Sequence, residues 1–237
     1  MKVTLFSYSL LLVAACVASA QSTRKPVFVT PEQVNLAAIL PAPPAPDSPA
    51  GKADLADVHK IQNARTPGQT AHAKADDEEE DMFVFRAVVG EKFTAAQLPA
   101  TAVLSSHLHN DEGIIVGPAK QFFARLRPFN FDHTVQPVCK TNANVKDYGY
   151  PSGHGTTGYL EALALIQMIP EKRDEILARA DDYAFSRAVC GVHYRSDGQA
   201  SKLSAYAMMS VMMNNPQFQK ELAAAKEETR RVLGLKP

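Results

Sequence analysis

Apolar residues in this chain recur at helical spacing and scarcely ever alternate, and most of the runs are introduced by residues that start helices. Leu55, Val58 and Ile61 follow Ser48-Pro49, and Phe83, Val88 and Val89 come after Thr66-Pro67. Ile176, Leu177, Ala180 and Tyr183 follow Pro170, while Phe218, Leu222 and Ala225 follow Pro216. A Ser or Thr before Pro places a side-chain acceptor at the N-cap and Pro at the first helical position, where its missing N–H is not needed. The stretches from Gly155 to Met168 and from Asp197 to Met213 complete the helical set, the latter with methionines at 208, 209, 212 and 213 that read as core filling. No repeat period is visible, and the class is all-α.

The first residues carry Lys2, an apolar run from Val3 to Val17 and then Ala18-Ser19-Ala20, the pattern of a cleavable signal peptide over residues 1–20. Val13-Ala14-Ala15-Cys16 also fits a lipoprotein cleavage site, with the cysteine as the lipid carrier. Both routes lead out of the cytosol, to the periplasm or the medium. No later run approaches the ~20 apolar residues of a membrane span. Residues 21–47, through Pro41-Ala42-Pro43-Pro44-Ala45-Pro46, are too proline-rich to be regular throughout and read as an arm over the domain, although Thr30-Pro31-Glu32 has the form of a short helix start. Residues 48–237 form the helical domain. Beyond the leader only Cys139 and Cys190 remain, and in an oxidising compartment a single bridge between them is the economical reading. The formal net charge is zero, which gives no indication of a nucleic-acid partner.

Two conspicuous groups read as ordinary surface. Asp76-Asp77-Glu78-Glu79-Glu80-Asp81 lacks a metal-loop pattern and is expected to be a solvated helix face. His107 and His109 have no third ligand in view, so no metal site is assigned to them.

Three clusters carry chemistry. In the first, Lys120 and Arg127 are seven residues apart, almost two helical turns, so a helix ended by Pro128 would aim both cations at one point. In the second, Tyr150-Pro151-Ser152-Gly153-His154 leads into a helix whose start offers unpaired N–H groups and a positive dipole end; Gly153 admits close approach of an anion and Ser152 adds a hydroxyl. In the third, Ser186-Arg187 precedes His193 and Asp197, which are four apart and meet if that segment is helical. A carboxylate on one ring nitrogen leaves the other nitrogen's lone pair free as a nucleophile, and Arg187 offers a fork for phosphate oxygens. Each cluster also has a plain structural reading: a basic helix end, a turn and cap, a buried ion-paired histidine.

Taken in order, the three clusters resemble the signature of the phosphatidic-acid-phosphatase type 2 and vanadium haloperoxidase superfamily. The runs Ala124-Arg125-Leu126-Arg127-Pro128-Phe129, Pro151-Ser152-Gly153-His154, Arg173-Asp174-Glu175-Ile176-Leu177 and Ser186-Arg187-Ala188-Val189-Cys190-Gly191-Val192-His193 are similar to those of bacterial class A non-specific acid phosphatases. The resemblance implies a helical-bundle domain of that superfamily's type, export, and phosphate monoesters as substrates. It also implies phosphotransferase side activity and a homo-oligomer, with no cofactor and no metal. His193 would attack phosphorus, Asp197 would orient it and His154 would protonate the leaving oxygen. Lys120, Arg127, Ser152, Gly153 and Arg187 would hold the phosphoryl oxygens.

Two departures bear on the leaving-group side: Tyr148-Gly149-Tyr150 stands where the class commonly has Gly-Ser-Tyr, and Tyr194 where it commonly has Trp. Vanadium-dependent haloperoxidase chemistry is the alternative on the same cradle, because vanadate mimics the phosphoryl transition state. The cations around His193 would lower its pKa and Asp197 would raise it, which leaves the net direction open at this point.

Overall fold

Helices begin where the start signals stand. In the computed structural model, which describes residues 24–142 and 144–236, Ser48 caps α2 (Pro49–Ala64) and Thr66 with Gln69 forms a capping box on α3 (Pro67–Glu78). A short α4 (Arg86–Val89) follows a 3-10 turn, and Pro99 opens α5 (Pro99–Phe123). After the one-turn α6 (Pro128–Phe131) come α7 (Gly153–Met168), α8 (Arg173–Val189), α9 (Arg195–Met212) and α10 (Pro216–Leu233). No strand occurs among the described residues, and the fold is all-α. The leader and Cys16 lie outside the described residues.

α7 is the central element, packed against α5, α8, α9 and α10. Leu160, Ala162, Ala164, Leu165 and Met168 along it are fully buried, and each large side chain removed from water contributes on the order of 1.5–3 kcal/mol. Its small residues set the helix spacing: a Cβ at Gly158 would lie 2.5 Å from the Tyr183 ring on α8. Met208, Met209 and Met212 fill the core from α9, whereas Met213 is partly exposed.

The proline-rich segment lies along the domain and also enters the core. Asp111 of α5, fully buried, accepts the backbone N–H groups of Val27, Phe28 and Val29 at 2.8, 2.6 and 3.0 Å. That capture seats Phe28 edge-on against Phe218, with ring centroids 5.3 Å apart. Thr30-Pro31-Glu32 is a turn closed onto the Thr30 carbonyl, not a helix start; the short α1 (Leu36–Ile39) is capped by Asn35 instead.

No helix among the described residues is long and apolar enough to cross a membrane. Cys139 and Cys190 are bridged, with Cα atoms 5.2 Å apart, and the Val138 N–H donates to the Cys190 carbonyl at 3.0 Å. The bridge ties the chain after α6 to the end of α8, just before His193. It closes a sequence separation of 51 residues, for which chain entropy predicts roughly 3–4 kcal/mol of stabilisation. Replacing both cysteines by serine should therefore lower the unfolding free energy by about that amount in urea titrations, with little change in helix content at zero denaturant.

Candidate active site

The first cluster reaches the site by a different route from the helical one expected. α5 ends at Phe123, Ala124 turns left-handed at φ 47°, and Arg127 is extended at φ −66°, ψ 154°. The cause is Pro128: a residue before proline is pushed out of the helical region, and Pro128 opens α6 rather than closing α5. Lys120 stays in the last turn of α5, while Arg127 comes from the connecting loop.

The second cluster sits at the N-terminus of α7, which starts at Gly153, two residues earlier than expected. Ser152 is the N-cap: its buried Oγ accepts from the Gly155 N–H at 3.2 Å and keeps its own proton to donate. The Gly153 and His154 amides belong to the first turn, whose N–H groups have no intrahelical partner. A Cβ on Gly153 would lie 3.1 Å from Glu112 Oε1 and 3.6 Å from Lys120 Nζ, so both charges approach this helix start.

The third cluster is not helical throughout. His193 precedes α9 and Asp197 lies in its first turn, where an acid is favoured by the dipole. The two still meet, His193 Nδ1 to Asp197 Oδ2 being 3.2 Å. Arg127 Nη1 donates to His193 Nε2 at 2.8 Å. A guanidinium can only donate, so Nε2 carries the lone pair and the ring proton sits on Nδ1, toward Asp197. His193 is 2 % exposed, and burial, with Arg127, Arg187 and Lys120 behind it, holds its pKa well below 6.5. The direction that the residue pattern leaves open is thus downward, and the imidazole is neutral.

Arg127, His154 and Arg187 line a cavity of about 560 Å³, together with Asp77, Glu80 and Asp147. His193 is not in its lining but its neighbour Val192 is. Each of the three cationic or proton-bearing groups meets a carboxylate. Arg187 pairs with Asp77, Arg127 Nη2 donates to Asp147 Oδ1 at 3.1 Å, and His154 Nε2 lies 3.1 Å from Glu80 Oε1. Arg187 Nε is buried with no hydrogen-bond partner among the described residues.

The acidic run is therefore not a solvated face. Asp76 and Asp77 are buried, Asp76 receiving Arg179 Nη2 at 2.5 Å and Ser186 Oγ at 2.6 Å, and only Glu78, Glu80 and Asp81 stay exposed. The partners come from α8, more than a hundred residues on, which no local pattern announces. His107 and His109 are half-buried and diverge, His107 Nδ1 to Glu221 Oε2 at 2.8 Å and His109 Nδ1 toward Glu80 at 4.0 Å. Sequence reading also passed over Arg125, which donates to Asp197 Oδ1 at 2.6 Å, and Glu112.

The pattern that matches residues 100–221 is that of the PAP2 superfamily. The chain belongs to that family. The PAP2 region runs from the second residue of α5 into α10 and so holds all three clusters. Over 146 residues the chain is 34% identical to a protein of Providencia stuartii named non-specific acid phosphatase, covering 61% of this chain and 59% of that one. It is likewise 34% identical over 147 residues to a Salmonella typhi protein of the same name, and 33% identical to an acid phosphatase of Zymomonas mobilis subsp. mobilis. The matched stretch spans 55–59% of the length of these relatives.

Around this PAP2 site, burial pushes two carboxyls upward, Glu112 to about 7, with Lys120 opposing, and Asp197 to about 6, with Arg125 opposing. A carboxyl raised on folding stabilises least when both states want it charged: Glu112's contribution is complete below about 4.5 and is lost as pH rises toward 7. Glu112→Gln should therefore gain roughly 1–3 kcal/mol over the parent protein at pH 8 and little at pH 4, read from urea unfolding at both pH values.

Proposed function

We propose that this protein is an exported acid phosphatase that hydrolyses phosphate monoesters through a phosphohistidine on His193. The observation that carries the reading is the state of His193: buried, neutral, its Nδ1 proton held by Asp197 and its Nε2 lone pair 2.8 Å from a guanidinium that also lines the cavity. Family membership and the names of the relatives support the same chemistry.

In the first half-reaction a phosphoryl oxygen draws Arg127 off Nε2. The Nε2 lone pair then forms the N–P bond as the ester P–O bond breaks, and the leaving oxygen takes the proton from His154. Water, with His154 now as base, attacks the phosphohistidine; the N–P bond breaks and inorganic phosphate leaves. An alcohol in place of water gives phosphotransfer. Charge develops on the equatorial oxygens, where Lys120, Arg127, Arg187, the Ser152 hydroxyl and the Gly153 amide are the donors. The Arg187 Nε without a partner fits that role. Every group in this scheme is a nucleophile, an acid or an oxygen donor, so turnover is expected to survive dialysis against EDTA.

His193→Ala should reduce turnover of p-nitrophenyl phosphate to background and abolish acid-quenched phosphoenzyme labelling. His154→Ala should slow alkyl phosphates by roughly 10²–10⁴-fold but p-nitrophenyl phosphate far less, because nitrophenolate leaves without a proton. Equal losses on both ester types would sink the assignment of His154. Halide oxidation by peroxide after vanadate loading, without ester hydrolysis, would point to the haloperoxidase alternative.

A further inference from the structure

Arg125 is not among the residues singled out in the three clusters, yet its half-buried guanidinium is engaged through both terminal nitrogens. Nη1 donates to Asp197 Oδ1 and to Ser196 Oγ, both at 2.6 Å, and Nη2 donates to Asp54 Oδ2 at 2.8 Å. Its Cζ lies 4.0 Å from the centre of the Tyr194 ring. Three acceptors and a stacked ring fix the plane of the fork, which a lysine ammonium cannot reproduce.

The carboxylate it reaches is 0 % exposed and divided in two. Oδ2 faces the reaction, taking the Tyr194 N–H at 2.9 Å and facing His193 Nδ1 at 3.2 Å. Oδ1 has Arg125 as its hydrogen-bond partner. Without that guanidinium, Oδ1 would be a buried charged oxygen lacking a donor, and a proton on it would be the cheapest remedy. Protonation would turn Oδ2 from a carboxylate oxygen into a carbonyl oxygen, a weaker acceptor for the Nδ1 proton. The Arg125 backbone contributes as well. Its carbonyl accepts the Gly149 N–H at 2.9 Å and so lays Gly149 over the pair, where a Cβ would stand 3.3 Å from Asp197 Oδ2 and 3.6 Å from His193 Nδ1.

We propose that Arg125 is the positioning residue of the nucleophile: acting through Asp197, and itself held by Asp54, it keeps the carboxylate charged and its Oδ2 turned to His193. The inference rests on His193 being the nucleophile proposed above. It assigns to a side chain of the loop after α5, and to Asp54 of α2, a part in the chemistry of α9.

The charged and titratable groups facing Asp197 are His193 and Tyr194 from its own segment, Arg125 from the loop, Lys120 from α5, Asp54 from α2 and Tyr150 from the loop before α7. Arg125 and Asp54 act on it with opposite sign, the first favouring the carboxylate and the second the acid. The two variants should therefore move the acid limb of kcat in opposite directions, which a purely structural role would not do.

The test uses Arg125→Gln, Arg125→Lys and Asp54→Asn, with the exposed Arg173→Gln as control. Two readouts are taken on each: the pH profile of p-nitrophenyl phosphate turnover, and the titration of the Asp197 carboxyl by ¹³C NMR, assigned with Asp197→Asn. Arg125→Gln should lower kcat by roughly 10–100-fold with KM nearly unchanged, and raise both the acid limb and the Asp197 titration by about one pH unit or more. Arg125→Lys should return the limb toward the parent value while recovering only part of kcat. Asp54→Asn should shift limb and titration downward, and it keeps an acceptor for Nη2, so it decides the matter if Arg125→Gln does not fold. An Asp197 titration unmoved by Arg125→Gln, or moved upward by Asp54→Asn, would overturn the proposal. The carboxyl titration needs no turnover: if the parent protein fails to hydrolyse the ester, the phosphatase reading falls, and the NMR shifts still judge Arg125.

Discussion

Three separate stretches of chain converge on Asp197, and the arrangement of the cavity follows from that convergence. Its carboxylate holds the Tyr194 N–H at the start of α9, the Arg125 guanidinium and His193 Nδ1. Its carbonyl receives the Ser152 N–H at 3.3 Å and Ser201 Oγ at 2.9 Å, which binds the start of α7 to the first turns of α9. Two helix N-termini and the loop after α5 are thereby fixed relative to one residue, and the positive ends of α7 and α9 converge on the same small region. Burying a charge so completely is unfavourable unless every lone pair is answered, and here three donors and a helix dipole answer it.

Both signs of charge line the cavity, and Arg127, Arg187 and Lys140 each already have a carboxylate, Glu78 in the case of Lys140. Asp77 faces Arg187, Asp147 faces Arg127 and Glu80 faces His154. Arg127 and Arg187 with nothing to oppose them would repel one another in a half-buried space. The acids relieve that repulsion, so on the function proposed above an incoming phosphoryl group would exchange one set of anionic oxygens for another. Such an exchange would favour a tetrahedral, multiply charged ligand over a single carboxylate, because only the former reaches several donors at once.

The all-α class, most helix starts and all three clusters were legible in the sequence, because apolar spacing, N-caps and proline at the first helical position act locally. Most of what was misread has partners distant in the chain, and one misreading is local. Asp76 and Asp77 look like a solvated run until Arg179, Ser186 and Arg187 of α8 pack against them. Seven-residue spacing put Lys120 and Arg127 on one helix, where the steric rule for a residue before proline predicts a break instead. That rule was available and outweighs periodicity at this point. Arg125 was visible only as part of a family-like run, since its partners Asp54 and Asp197 are 71 and 72 residues away.

A histidine nucleophile that has to work in acid faces a contradiction: ordinary imidazole is protonated below about 6.5, and the protonated ring cannot attack. On the reading proposed for His193, the same cations that would bind phosphate resolve it. Burial, then Arg127, Arg187 and Lys120, disfavour a charge on His193 and keep it neutral well into the acid range. Asp197 acts in the other direction, and burial pushes its own pKa up to about 6, with Arg125 opposing. On the mechanism proposed for His193, the acid side of the reaction then depends on how firmly Asp197 is held in its charged form as well as on how firmly the imidazole is held neutral.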